Sequence, residues 1–352
     1  MSETSLKRKN SMSDSSVSGN LLSRFWAKLN KRDLFMLFLL FAVIFYNSIS
    51  RDNFASATTV GYLLIDAIPI LMLALTTAFI IISAEIDLSI ASIVGLSAAT
   101  IGSMIQRGDD MLMAAGAAIV VGLLAGAFNG FLVAYVGLPS LAATIGTLAL
   151  YRGLALVVIG DTSVGDFPKD WTNFVQGRFE GSGIPYVMPI VLVFIAIAIL
   201  ILHFSPFGRG LYALGYSKEA AKFVGVNVEL TKFLLFLASG VIASLVGLYW
   251  ALRYGSARSD SAAGLELTVI AAVLLGGVSI FGGRGTIPGV VFSVLLIAVV
   301  TYGFRLQRIS DVVLVIITGL LLIASVVGPN LYQALKEKLR SLTTNTKASS
   351  AG

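Results

Sequence analysis

Apolar residues in this chain come in unbroken runs of about 16 to 25 positions, with no alternation of period two and no polar stripe. Runs of that length exclude strands, and a helix apolar all round has no face for water. About 20 residues cross a hydrocarbon core of roughly 30 Å. The runs predict membrane spans at about 34–49, 59–83, 89–105, 112–135, 140–159, 186–204, 231–252, 266–281, 287–304 and 311–328. The expected architecture is all-α and polytopic, with about ten transmembrane helices in a domain at 33–328. A polar cytoplasmic leader at 1–32 precedes it and a polar cytoplasmic tail at 329–352 follows.

Composition supports that reading. Of 352 residues, 57% are hydrophobic and 12% charged, with a mean hydropathy of +0.89, where soluble chains are about 25% charged. The leader is Ser-rich and basic (KRK at 7–9, Lys28, Lys31, Arg32) and is predicted to be disordered to about Leu21. No cleavage pattern follows the run that starts at Leu34, so the first span reads as retained, with Trp26 and Tyr46 near its interfaces. An even number of spans puts both termini on one side. The segments then predicted to be inner carry 16 Lys and Arg against eight in the outer loops, so both ends are placed in the cytoplasm. The net charge of +6 reads as topology rather than nucleic-acid binding.

Cysteine is absent and His203 is the only histidine. Disulfides, thiol nucleophiles and two-histidine metal sites are thereby excluded. A Ser–His–Asp hydrolase would rest on His203, which reads better as an imidazole at the membrane boundary.

Two loops interrupt the apolar pattern. The outer one, 160–186, carries Trp171 and Phe174 to lie on the membrane or cap an entrance. The inner one, about 205–230, is predicted to hold one or two short helices, with a helix over 218–223 stopped by Gly225. Ile86-Asp87-Leu88-Ser89 and Leu265-Glu266-Leu267-Thr268 each open a small-residue helix, the first from inside and the second from outside. They form a candidate inverted repeat, an arrangement that places a substrate path between the two halves.

Several polar groups sit where lipid should be. Glu85 and Asp87 in SAEIDLSI either border a translocation path or pair with a buried Arg; alternatively Asp87 or Ser89 caps the third helix. Arg152 lies inside a span, and Glu85, Asp87 and Asp66 are its candidate partners. Asn129 in GAFNGF fits a hydrogen bond across a close helix contact, or a substrate contact. Arg258 and Asp260 suit a polyhydroxylated ligand, an exposed salt bridge or a docking protein. Gly282-Gly283-Arg284-Gly285 lacks the spacing of a nucleotide loop, and no Gly-Lys pair exists, so it reads as a tight turn. The force for transport must then come from an ion gradient or another subunit. Glu219, Ala220, Ala221 and Gly225 read as a lever that inserts into a soluble partner, or as a plain connection.

The motif Glu219-Ala220-Ala221 with Gly225 resembles the ATPase-coupling loop of binding-protein-dependent ABC importers. EIDLS, NGFLVAYVGLPSLAATIGTLALYRG, FGRGLYALGYSKEAAKFVGVN and IAAVLLGGVSIFGGRGTIPG resemble, in order, blocks of the ribose-type sugar permeases over about 55–328. RYGSARSD resembles the rhamnose and autoinducer-2 branch. The family commonly has a Gly pair before Ile-Asp-Leu-Ser, where this chain has Ala84-Glu85. The resemblance implies an inner-membrane permease that has no catalytic residue, metal or cofactor of its own. A cytoplasmic subunit would bind the ATP, a second permease would complete the pore, and a periplasmic sugar-binding protein would deliver the solute. Glu85, Asp87, Ser89, Asn129, Arg152, Arg258, Asp260 and Glu266 are the candidates for its path. The rival classes are an ion-coupled carrier or channel relaying charge through Glu85, Asp87 and Arg152, and an intramembrane enzyme.

Overall fold

The computed structural model describes residues 30–310 and, beyond them, 313, 316, 317, 319, 320 and 323. The tail and residues 1–29 of the leader lie outside the described residues, and Lys31 and Arg32, expected in the leader, open the first helix. Of the expected tenth span, only those last six positions are described, and they are helical.

Within described residues 30–310 twelve helices follow one another: α1 Lys31–Ser50, α2 Ala57–Ile82, α3 Ile90–Gln106, α4 Met111–Ala134, α5 Ser140–Ile159, α6 Lys169–Gln176, α7 Met188–Ile199, α8 Pro206–Tyr216, α9 Lys218–Phe223, α10 Val228–Tyr254, α11 Leu265–Leu275 and α12 Ile287–Leu306. A π turn, Leu200–Phe204, extends α7. The all-α, polytopic expectation holds; the count of ten is not confirmed. Among the described residues, six helices are long and apolar enough to cross a membrane, and α7 with α8 forms a seventh unit bent by 67°. The two shortfalls are α3 and α11. With 11 residues, α11 is about 16 Å long, half a hydrocarbon core. Its sequence stays apolar past Leu275, but Gly277 takes a φ of +94° and ends the helix.

The interior is built around α2, largely buried along its length, whereas α1 turns Phe35, Phe38, Phe41 and Phe45 outward, as a lipid-facing helix must. The closest seam joins α4 to α10. Gly122, Gly126 and Gly130 recur every four residues and so share one face. A Cβ at Gly126 would stand 2.5 Å from the carbonyl oxygen of Phe236. Lacking side chains there, the two backbones lie in van der Waals contact.

Two breaks define the rest. The 26-residue α2 ends at Ser83 and an extended stretch leads into α3; the 27-residue α10 ends at Gly255 and an irregular stretch leads into α11. Each break contains a left-handed alanine directly after a serine, Ala84 (φ 63°) and Ala262 (φ 59°). The breaks lie at opposite ends of the bundle, as the candidate inverted repeat requires.

Candidate functional site

At the end of the bundle that carries α8 and α9, the first break is held by ions. Glu85, buried, lies 2.5 Å from Nζ of Lys232, equally buried in the second turn of α10. It also lies 3.7 Å from Nζ of Lys218, the first residue of α9. Backbone packing adds to this. Gly283 donates its N–H to Ile82 (2.9 Å), and Gly215, near the end of α8, abuts Ile82 and Gly283 so closely that no Cβ fits. The turn Gly282–Gly285 is therefore a packing joint between the α8–α9 arm and the end of α2, in keeping with the tight-turn reading.

The arm itself is shaped by caps. Ser205 accepts the N–H of Gly208 at the start of α8, and Ser217 accepts the N–H of Ala220 at the start of α9 while donating to Glu219. Its own backbone N–H, and after it that hydroxyl, hold the Glu219 carboxyl below its usual range. The helix expected over 218–223 is present, and Gly225 stops it with a φ of +83°. Ala221 is buried against Leu214 and Val228, whereas Phe223 and Val224 are 92% and 72% exposed.

One step deeper lies a chain of buried hydroxyls and amides. Asp87 accepts from the backbone N–H (2.9 Å) and hydroxyl (2.6 Å) of Ser89 and from the hydroxyl of Ser239 on α10 (3.0 Å). Asn129 on α4 donates to Ser89 (2.7 Å), and the Tyr151 hydroxyl on α5 lies within hydrogen-bond distance of Asn129 Oδ1 (3.0 Å) and the Ala125 carbonyl (2.9 Å). The backbone of the break is held as well, Ile86 donating to Ser140 and accepting from Thr144. Four helices thus meet through one network at the mouth of α3. Ser89 occupies the N-cap position of α3, but its side chain serves the network and not the helix end. Asn129 makes the helix-to-helix hydrogen bond expected of it.

Arg152 corrects the sequence reading. It pairs with none of Glu85, Asp87 or Asp66. Glu85 is taken by Lys232, and Asp66 by Arg253 (3.2 Å) and Arg305 (3.1 Å). The guanidinium instead passes over Gly95 of α3 and donates to the carbonyls of Ser259 (2.9 Å) and Ser261 (2.8 Å), inside the second break. That break is re-entrant. Ala257 pairs backbone to backbone with Val164 beside Gly102, and Ser261 lies beside Gly95, seven residues or about 10 Å lower on α3. Irregular backbone at that depth needs partners for its carbonyls, and Arg152 supplies them. Glu266, one helical position into α11, and Asp260 are the carboxylates that attract this guanidinium. Arg258 and Asp260 form a two-pronged exposed salt bridge (2.8 and 3.1 Å). It raises the Arg258 value and lowers that of Asp260.

Beside the second break opens a cavity of about 860 Å³, walled by Trp250, Tyr254 and Tyr302 and carrying Asp66, Arg258, Asp260, Thr301 and Arg305. The candidates therefore fall into three groups: Glu85 with the arm, Asp87–Ser89–Asn129 at the start of α3, and Arg152–Arg258–Asp260–Glu266 along the re-entrant stretch, which comes in from the opposite end and reaches Arg152 beside Gly95. Sequence reasoning missed Lys218, Lys232, Tyr151 and Ser239. The signal available was the charge of Lys232 at the edge of an apolar run. Among the described residues no cluster of three His, Asp or Glu side chains is placed to hold a metal.

The permease component of branched-chain amino acid transport systems is the family that matches, over residues 59–326. The autoinducer 2 import system permease protein LsrD of Enterobacter sp. (strain 638) is 32% identical over 310 residues, covering 86% of this chain and 94% of the relative. The D-allose transport system permease protein AlsC of Escherichia coli (strain K12) is 32% identical over 308 residues, covering 86% and 91%. The autoinducer 2 import system permease protein LsrC of Yersinia enterocolitica is 32% identical over 269 residues, covering 76% and 74%. No solved structure matches.

Proposed function

Because this chain belongs to the branched-chain amino acid transport system permease component family, we propose that it forms half of the pore of an ATP-driven importer for a sugar or sugar-like solute. The solute class rests on the relatives, whose names are those of autoinducer 2 and D-allose permeases. The wall chemistry of the 860 Å³ cavity agrees with it. Hydroxylated solutes need directional donors and acceptors beside apolar ring faces, and Trp250, Tyr254 and Tyr302 stand there with Asp66, Arg305 and Thr301.

In this reading a cytoplasmic ATPase subunit binds the nucleotide, a second permease completes the pore, and a periplasmic binding protein delivers the solute. The membrane is the bacterial inner membrane, with α8 and α9 on the cytoplasmic side. The observation that carries the mechanism is the link Lys218–Glu85–Lys232. The ATPase grips Phe223 and Val224, the exposed apolar tip of α9. Because α9 is tied by Lys218 to Glu85, and Glu85 lies two residues before Asp87, a displacement of the arm pulls on the start of α3. The far end of α3 packs on the re-entrant loop that Arg152 holds. Movement started at one face thereby reaches the other through a single short helix, which is what alternating access requires. The chain's own residues hold and move backbone; they make and break no covalent bond.

The test is co-reconstitution in liposomes with the ATPase and binding protein. ATP-dependent accumulation of labelled solute that survives an ionophore is expected, together with its loss in Gly225→Leu, which strains the turn at a φ of +83°. Accumulation by the permease alone under an imposed ion gradient would favour the carrier reading instead.

A further inference from the structure

A second cavity, of about 700 Å³, lies at the α9 end where the start of α1, the bend between α7 and α8, and the turn joining α11 to α12 converge. Lys31, Arg32, Arg209 and Arg284 line it, with His203. Among the described residues of its wall Asp33 is the only carboxylate, and both its oxygens are engaged: Oδ1 accepts from the hydroxyl of Thr286 (2.6 Å) and Oδ2 from the N–H of Asn30 (2.9 Å). No ion pair among the described residues involves any of the four cations. Elsewhere at this same end the lysines are matched, Lys218 and Lys232 with Glu85 and Lys222 with Glu229. Four like charges around one concavity repel one another, and an anion placed between them removes that cost. Three of the four are Arg, whose planar fork matches the oxygens of a phosphate.

The surroundings say where such a phosphate comes from. Directly beyond the cavity α1 exposes Leu34, Phe35 and Phe38 (58% and 69% for the two phenylalanines), and the π turn exposes Leu200 and Ile201. Charged floor and apolar flank adjoin at the end of membrane-spanning helices, where phosphate and acyl chain meet in a lipid. Basic pockets between such helices take anionic headgroups. We propose that this cavity is a binding site for a phosphate group, supplied by the headgroup of an anionic phospholipid whose chains lie along Phe35, Phe38 and Leu200. It is separate from the solute path, and it clamps α1 and the α11–α12 turn onto α8 at the base of the arm.

The purified permease in detergent is titrated with cardiolipin, with phosphatidylcholine and with inorganic phosphate, and bound lipid is counted by native mass spectrometry alongside the thermal midpoint. Cardiolipin is expected to be retained and to raise the midpoint at concentrations at least tenfold below those at which phosphatidylcholine acts, with inorganic phosphate inert. In Arg32→Gln/Arg209→Gln that preference falls at least fivefold; in Arg107→Gln, at the opposite end, it is unchanged. If the double variant unfolds, Arg284→Gln or Lys31→Gln is read in the same way. Equal retention of both lipids, or a preference indifferent to all these substitutions, overturns the site. Protection by inorganic phosphate equal to that by cardiolipin overturns the lipid as its source.

Discussion

Replacing Glu85 by Gln is the sharpest probe of the link between the arm and α3. At 2.5 Å and an effective dielectric of about 20, the Glu85–Lys232 attraction is roughly 7 kcal/mol before desolvation is charged against it. Removing one member of a buried pair leaves the other uncompensated, which costs about 3–5 kcal/mol. The amide keeps one acceptor oxygen for the ammonium, so the lower figure, about 3 kcal/mol, is expected. At about 2 °C per kcal/mol for a chain of this size, the thermal midpoint in nanodiscs should fall by roughly 6 °C. Lys218 is another matter. Its side chain is 55% exposed and 3.7 Å away, so Lys218→Met should cost no more than about 1 kcal/mol. It should nevertheless lower the solute imported per ATP hydrolysed, at least twofold, because it unties α9 from the break. In a double-mutant cycle Glu85→Gln with Lys232→Met should recover about 2 kcal/mol of the loss, and the Glu85–Lys218 cycle less than about 1 kcal/mol. A Glu85→Gln midpoint within 2 °C of the parent, or no recovery in the double variant, would refute the reasoning.

Three further outcomes follow from the other groups. Arg152→Met strands the carbonyls of Ser259 and Ser261 at depth and should cost about 2–4 kcal/mol; uptake should fall with it while binding of the ATPase subunit, measured by co-purification, stays intact. Asp87→Ala leaves the donors of Ser89 and Ser239 without their acceptor and should destabilise by about 2–3 kcal/mol, whereas Asp87→Asn keeps one acceptor oxygen for Ser89 and should stay within about 1 kcal/mol by thermal unfolding. The salt bridge with Arg258 holds the Asp260 carboxyl below its ordinary value of 3.8. Its contribution is present above that value and is lost only as pH falls through the lower folded one, so the uptake ratio of Asp260→Asn to parent should be flat from pH 5 to 8.

The long spans were legible because an apolar run of 20 residues has few alternatives. Ser140–Ile159 and Met111–Ala134 match the expected 140–159 and 112–135 to within a residue. The α9 helix and its glycine stop were legible for a local reason, since caps and left-handed turns are written in neighbouring residues. The span expected at 266–281 failed because hydropathy alone does not see Gly276-Gly277, a pair that ends α11. Partners were the least legible part. Glu85 and Lys232 are far apart in sequence, and an arginine bound to carbonyls leaves no mark, because every residue has a carbonyl. What the sequence did display was the oddity of Glu85 itself, a charge where the resembled family has glycine.

The seam between α4 and α10 has a mechanical consequence. Where Gly126 faces the backbone of Phe236, no rotamer can yield and no side chain can slip into a neighbouring groove. Two helices in such contact behave as a single rigid plank, and rotation about either axis would drive backbone into backbone. Whatever conformational cycle the molecule performs, this pair is its stationary frame, and the travel falls to the segments that swing against it.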